Sequence, residues 1–142
     1  MLNWVLLLGG STGHGAATAK RLAKDGYGII AFHFDRGDAK KIALKNIEEV
    51  NNLSNGRCHY FNTNAASVET IEKYLPKIKE ITNGQPLKLL LHSIAFGTTT
   101  NFFGDKPVTQ RQMDMTIHVM GNSLLYWTQH LFKNNLLAKG SR

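Results

Sequence analysis

Trp4-Val5-Leu6-Leu7-Leu8-Gly9-Gly10-Ser11-Thr12-Gly13-His14-Gly15-Ala16 is the stretch on which the fold turns. The apolar run Trp4 to Leu8 reads as a strand buried on both faces. Glycines then follow at the spacing Gly-x-x-x-Gly-x-Gly, at Gly9, Gly13 and Gly15. Ala16, Ala19, Leu22 and Ala23 recur at helical intervals until Asp25-Gly26 stops the helix. Strand, glycine turn and helix in a unit of roughly 30 residues are the context in which such a turn binds a dinucleotide phosphate. Glycine permits positive φ and close backbone approach, while the amides and positive dipole end of the following helix neutralise the anion. Gly9, Ser11, Thr12, Gly13, His14 and Gly15 are therefore candidate cofactor residues, with Ser11 and Thr12 adding hydroxyl donors. The competing reading is that these glycines only make a tight turn. The phosphate loop of nucleotide hydrolases is excluded, because that motif ends in Gly-Lys-Ser/Thr and here His14-Gly15-Ala16 follows Gly13.

Outward from this unit the chain goes on alternating. A second strand is expected over Gly28 to Phe34, a helix over Ala39 to Val50 with Ile42, Leu44, Ile47 and Val50 inward, and a third strand over Arg57 to Phe61. A helix through Val68, Ile71, Leu75 and Ile78 should bend or restart near Pro76, since proline removes a donor and crowds the preceding turn. Leu87 to Leu91 reads as a fourth strand. The last helix should start near Pro107, with Thr109 and Gln112 spaced as a capping box, and run to about Phe132. This alternation predicts an α/β, Rossmann-like three-layer sandwich on a parallel sheet, formed by residues 1–142 as one domain.

Composition narrows the class. With 42% apolar and 19% charged residues the 142-residue chain resembles ordinary globular proteins. A net charge of +7 favours an anionic partner, yet the basic residues are scattered and no basic-aromatic tract marks a nucleic-acid surface. Cys58 is the only cysteine, and no Cys or His pair has zinc spacing, so metal-free chemistry in a reduced compartment, the cytoplasm, is expected. Trp4 to Leu8 is far below the roughly 20 apolar residues of a membrane span. At the end of the second strand an acidic residue favours the free ribose hydroxyls of NAD, and an arginine favours the phosphate of NADP. Asp35 and Arg36 offer both, and Arg36 with Lys40 and Lys41 close by tilts the expectation to NADP over NAD.

The spacing at Gly9, Gly13 and Gly15 resembles that of the short-chain dehydrogenase/reductase family, with Leu8 in place of the usual threonine. The resemblance implies strand order 3-2-1-4. It also implies adenine contact by Asn62-Thr63-Asn64, where the family commonly has an aspartate. After the fourth strand, His92-Ser93-Ile94-Ala95-Phe96 resembles the His-Ser-Ile-Ala/Gly-Phe segment of the enoyl reductases of fatty-acid synthesis. That likeness makes Ser93, Ile94 and Ala95 cofactor-lining positions. His118 falls near the family's relay asparagine, and a core or interface role is expected for it.

The family's catalytic pair, Tyr-x-x-x-Lys, does not occur: Tyr27, Tyr60, Tyr74 and Tyr126 are followed four places later by Ala31, Asn64, Ile78 and His130. The expectation is thus no catalytic residue in this chain, which reads as the amino-terminal part of a longer reductase, truncated before a fifth strand. Three functions stay open. One is reduction of an enoyl thioester carried by an acidic carrier protein, a second is a ketone or alcohol (3-oxoacyl) reductase, and a third is a non-catalytic nucleotide-binding or interaction module. A fourth strand left as an edge, and a last helix rich in Met and aromatic residues, favour a homo-oligomer.

Overall fold

The computed structural model describes residues 2–142. The elements are β1 (Trp4–Leu8), α1 (Gly13–Lys24), β2 (Gly28–His33), α2 (Asp38–Leu53), β3 (Cys58–Asn62), α3 (Val68–Ile81), β4 (Leu89–His92), α4 (Gln110–Ile117), a π-helical turn (His118–Asn122) and α5 (Ser123–Lys133). The strands form one parallel sheet in the order β3-β2-β1-β4, as expected.

Side-chain alternation along the strands builds the layers on either side. Leu6, Leu8, Ile30 and Phe32 face Ile71, Leu75 and Ile78 of α3 and Trp127 and Leu131 of α5. Val5, Leu7, Ile29 and Ala31 face Ala19 and Ala23 of α1 and Val50 of α2. The alanines of α1 bring that helix close to the sheet, which fixes where its first turn meets the end of β1. On the opposite face, the Trp127 indole lies against Phe32, and its Nε1 donates to the Ala65 carbonyl at 2.7 Å. One side chain thereby ties α5 to the loop after β3.

Four local expectations change. Ile42 and Leu44 are exposed, and Ala43 and Val50 are the buried residues of α2. At about 100° per residue, Ala43, the half-buried Ile47 and Val50 share one stripe, and Ile42 and Leu44 fall to either side of it. Helix α3 passes through Pro76 without restarting. Pro76 is exposed, so the lost hydrogen bond lies on the side where a helix can open towards water. The last helix is instead broken into α4, the π turn and α5. Finally, β4 begins at Leu89 and is half-buried, since a strand covers only its β1 side. Along its outer edge Arg142 forms one parallel rung, its N–H donating to the Lys88 carbonyl at 3.1 Å and its carbonyl accepting from the Leu90 N–H at 2.8 Å.

Candidate functional site

The carboxyl ends of β1, β2 and β4 open into one cleft of about 510 Å³, within the range of roughly 300–1,000 Å³ usual for ligand pockets. It sits where the chain order reverses across β1, which in open parallel sheets is the position of a ligand crevice.

The glycine turn forms the floor. The amides of Gly9 and Gly10 both donate to the Phe32 carbonyl, at 2.9 and 3.1 Å, so the turn hangs from β2. A Cβ at Gly9 would collide with the Ser93 carbonyl, and one at Gly15 with the Gly9 carbonyl. Only glycine allows the turn to fold this tightly over the start of α1. That start leaves its first amides without intrahelical partners, and neither a side-chain cap from Thr12 nor an acidic residue supplies one. Gly13 has φ +53° and open space before it, which a side chain would fill. Free amides, the positive helix end and this vacant approach fit a pyrophosphate.

Beside the turn stands Asp35. The Ser11 hydroxyl donates to its Oδ2 at 2.5 Å, and His33 Nδ1 lies 2.8 Å from the same oxygen. Asn46 Nδ2 donates to the Ser11 carbonyl at 2.9 Å and steadies the turn from α2. Thr63 and Asn64, after β3, also line the cleft. The amide of Thr63 donates to the His33 carbonyl at 2.8 Å, and Asn64 Oδ1 accepts from Ala66 N–H at 3.0 Å.

Ser93, Ile94, Ala95 and Phe96 make the far wall, positioned by the Ser93 amide donating to the Leu8 carbonyl at 2.7 Å. Met115, His118 and Val119 also line the cleft, from the helical stretch whose Thr116 hydroxyl accepts from the Thr98 amide at 3.2 Å. His92 joins β4 to the start of α5. The Ser123 hydroxyl donates to the Val119 carbonyl at 2.7 Å, so it accepts from His92 Nε2 at 2.8 Å, and the imidazole carries its proton on Nε2. Burial pulls the His92 pKa below its ordinary value, with hydrogen bonds to backbone carbonyls working more weakly the other way.

Of the candidate residues, Gly9, Ser11, Thr12, Gly13, His14, Asp35, Thr63, Asn64, Ser93, Ile94 and Ala95 meet in this cleft. Gly15, Arg36 and Asn62 are not among its lining. Gly15 packs beneath the turn, the Arg36 guanidinium stacks 4.5 Å over the exposed Phe34 ring, and Asn62 Nδ2 donates to the Asp35 carbonyl at 3.3 Å. Residues that the sequence reading missed are Phe32, His33 and Phe34 at the end of β2, Ala65, and Met115, His118 and Val119. Their signals were adjacency to Asp35 and the i, i+3, i+4 spacing of 115, 118 and 119. Tyr60 supports the floor from below, its hydroxyl 3.4 Å from the Gly10 carbonyl. Burial pushes its pKa far above the ordinary phenol value, so Tyr60 keeps its proton. Among the described residues no helix is long and apolar enough to cross a membrane.

No curated protein sequence matches the chain. Solved structures match its fold. A 3-oxoacyl-[acyl-carrier protein] reductase from Brucella melitensis, in complex with NAD, is 21% identical with a TM-score of 0.75, over 96% of this chain and 50% of that one. The actinorhodin polyketide ketoreductase with NADPH is 16% identical with a TM-score of 0.75, over 94% and 48%. A short-chain dehydrogenase/reductase from Serratia marcescens is 20% identical with a TM-score of 0.73, over 93% and 50%. The chain thus spans about half the length of these proteins. The family pattern described as short chain dehydrogenase matches residues 3–142, and on that match the chain belongs to the short-chain dehydrogenase family.

Proposed function

We propose that the chain is the dinucleotide-binding half of an NAD(P)H-dependent reductase that acts on the double bond of an enoyl thioester. The carrying observation is the wall formed by Ser93, Ile94 and Ala95 across from the glycine turn, in the segment whose sequence resembles the enoyl reductases. In this reading the first amides of α1, with Thr12, bind the pyrophosphate, and Thr63 and Asn64 take the adenine end, while Ser11 and Asn62 donate to Asp35. Ser93, Ile94 and Ala95 hold the nicotinamide end, while Phe96 and Met115 keep water from it. A bound nicotinamide supplies the hydride. The proton must come from a group outside this set, since no Tyr-x-x-x-Lys occurs and Tyr60 is held under the turn.

A ketone or 3-oxoacyl reductase is the second reading, favoured by the Gly-x-x-x-Gly-x-Gly spacing and by the kind of reaction named for the Brucella melitensis protein. A nucleotide-binding module without turnover is the third. The charge of +7 suits an acidic acyl carrier as partner. The exposed Ile117, Met120, Leu124, Leu125 and Phe132 suit a second copy of the chain. The test is oxidation of NADH and NADPH by the full protein with crotonyl and acetoacetyl thioesters. Turnover of crotonyl thioester is expected; oxidation with acetoacetyl thioester alone selects the second reading, and tight binding with neither substrate turned over selects the third.

A further inference from the structure

We propose that His33 sets which dinucleotide the cleft accepts, by holding Asp35 aimed as an acceptor for a free ribose hydroxyl and so favouring NAD over NADP. This rests on the reading of the cleft as a dinucleotide site.

His33 ends β2 and is 7% exposed, in a strand otherwise filled by Gly28, Ile29, Ile30, Ala31 and Phe32. A polar ring at such a position needs a partner. The partner is Asp35 Oδ2, 2.8 Å from Nδ1. The same oxygen receives the Ser11 hydroxyl at 2.5 Å. A carboxylate can only accept, so the imidazole donates from Nδ1. Two donors on one oxygen, one from the glycine turn and one from β2, fix the plane of the carboxylate. Among the described residues no protein group bonds Oδ1, and Asp35 lines the cleft, so Oδ1 is the oxygen left for a ligand donor.

The ring is braced from its other side. Tyr60 meets it edge-on with centroids 6.1 Å apart, and Tyr60 itself is held by the Gly10 carbonyl. His33 therefore joins the glycine turn, β2 and β3 at the one carboxylate that faces the ribose end. A ribose hydroxyl can donate to Oδ1. A 2′-phosphate brings only acceptors and like charge to the same place. Arg36, the cation that would offset that charge, has its guanidinium held over the Phe34 ring at the cleft's rim and is not itself among the lining residues. The arrangement reverses the preference that Arg36, Lys40 and Lys41 imply when read along the sequence.

His33 is a positioning residue here, and its test needs more than turnover. Calorimetric titration of the chain with NAD, NADP and ADP is expected to give NAD about tenfold tighter than NADP, the worth of one charge-assisted hydrogen bond. His33→Leu should bring the two within about threefold, with ADP, which carries the same free 2′-hydroxyl, weakened in parallel with NAD and with NADP affinity unchanged within the same margin. His33→Asn, whose amide can replace the Nδ1 donor, should restore the preference. Should His33→Leu not fold, Ser11→Ala removes the other donor and should also narrow the ratio. Long-range nitrogen–proton spectra of the ligand-free protein should show the His33 proton on Nδ1. NADP binding as tightly as NAD to the unmodified chain, or an unchanged ratio in His33→Leu, overturns the proposal. Failure of all three nucleotides to bind overturns the dinucleotide reading beneath it, and is distinct from binding without preference.

Discussion

Gly9, Gly13 and Gly15 do different work although they belong to one motif. Gly9 and Gly15 are required by the packing of the turn on itself and on Ser93, whereas Gly13 has open space before it. A change at Gly13 therefore acts on a ligand more than on the fold. Gly13→Asp sets a carboxylate against the free amides of α1, at a positive φ that Asp tolerates better than most residues. We expect dinucleotide affinity to fall by about tenfold or more with the melting temperature shifted by only a few degrees. Calorimetry beside a thermal melt reads both, and unaltered affinity would remove the turn from the site. The glycine spacing was legible in the sequence because a strand and a helix bracket it. The role of His33 was not, because its partners Asp35, Ser11 and Tyr60 come from three separate segments.

Between elements, the join that matters most for the cleft is the one from β4 to α5. The π turn lets the Ser123 amide reach the His118 carbonyl, and the Ser123 hydroxyl takes the Val119 carbonyl while accepting from His92. Turns of this kind recur at functional sites, and here His118 and Val119 are on the cleft wall. Burial lowers the His92 pKa, and burial followed by the Lys77 charge lowers that of His59. Both imidazoles thus favour the neutral form more in the fold than in the unfolded chain. Below the ordinary imidazole value of 6.5 the unfolded chain binds these protons more readily. Their contribution is complete above that pH and is lost as pH falls through the lowered values. Urea unfolding at about pH 7.5 and about pH 5 should show a lower midpoint in acid, and His92→Asn should flatten the difference. A steeper acid loss in the variant would contradict this account. The capping box at Thr109 and Gln112 was readable from its spacing, and both of its hydrogen bonds form. The break at His118–Asn122 was hidden, since apolar spacing continues through it while its hydrogen bonds shift by one residue.

For the whole molecule the open question is what covers its apolar exterior. Ile117, Met120, Leu124, Leu125 and Phe132 are each exposed along α4, the π turn and α5. If a second copy covers them, sedimentation should show a mass rising with concentration, and Leu125→Lys should return the chain to a monomer with its dinucleotide affinity intact. A monomer at every concentration would direct that face to another partner. The sequence alone determined the α/β class, the four strands, the first two helices and the loops that line the cleft, because hydrophobic period and glycine spacing are local properties. The family match over residues 3–142 agrees with that reading. Tertiary structure decided which face of α2 is buried, that α3 runs through Pro76, that Arg142 pairs along β4, and that Asp35 lines the cleft while Arg36 lies over the Phe34 ring at its rim. Asp35 and Arg36 are neighbours in the chain with opposite charges, so no local pattern ranks them. Their positions follow from Ser11 and His33 capturing one side chain and the Phe34 ring the other.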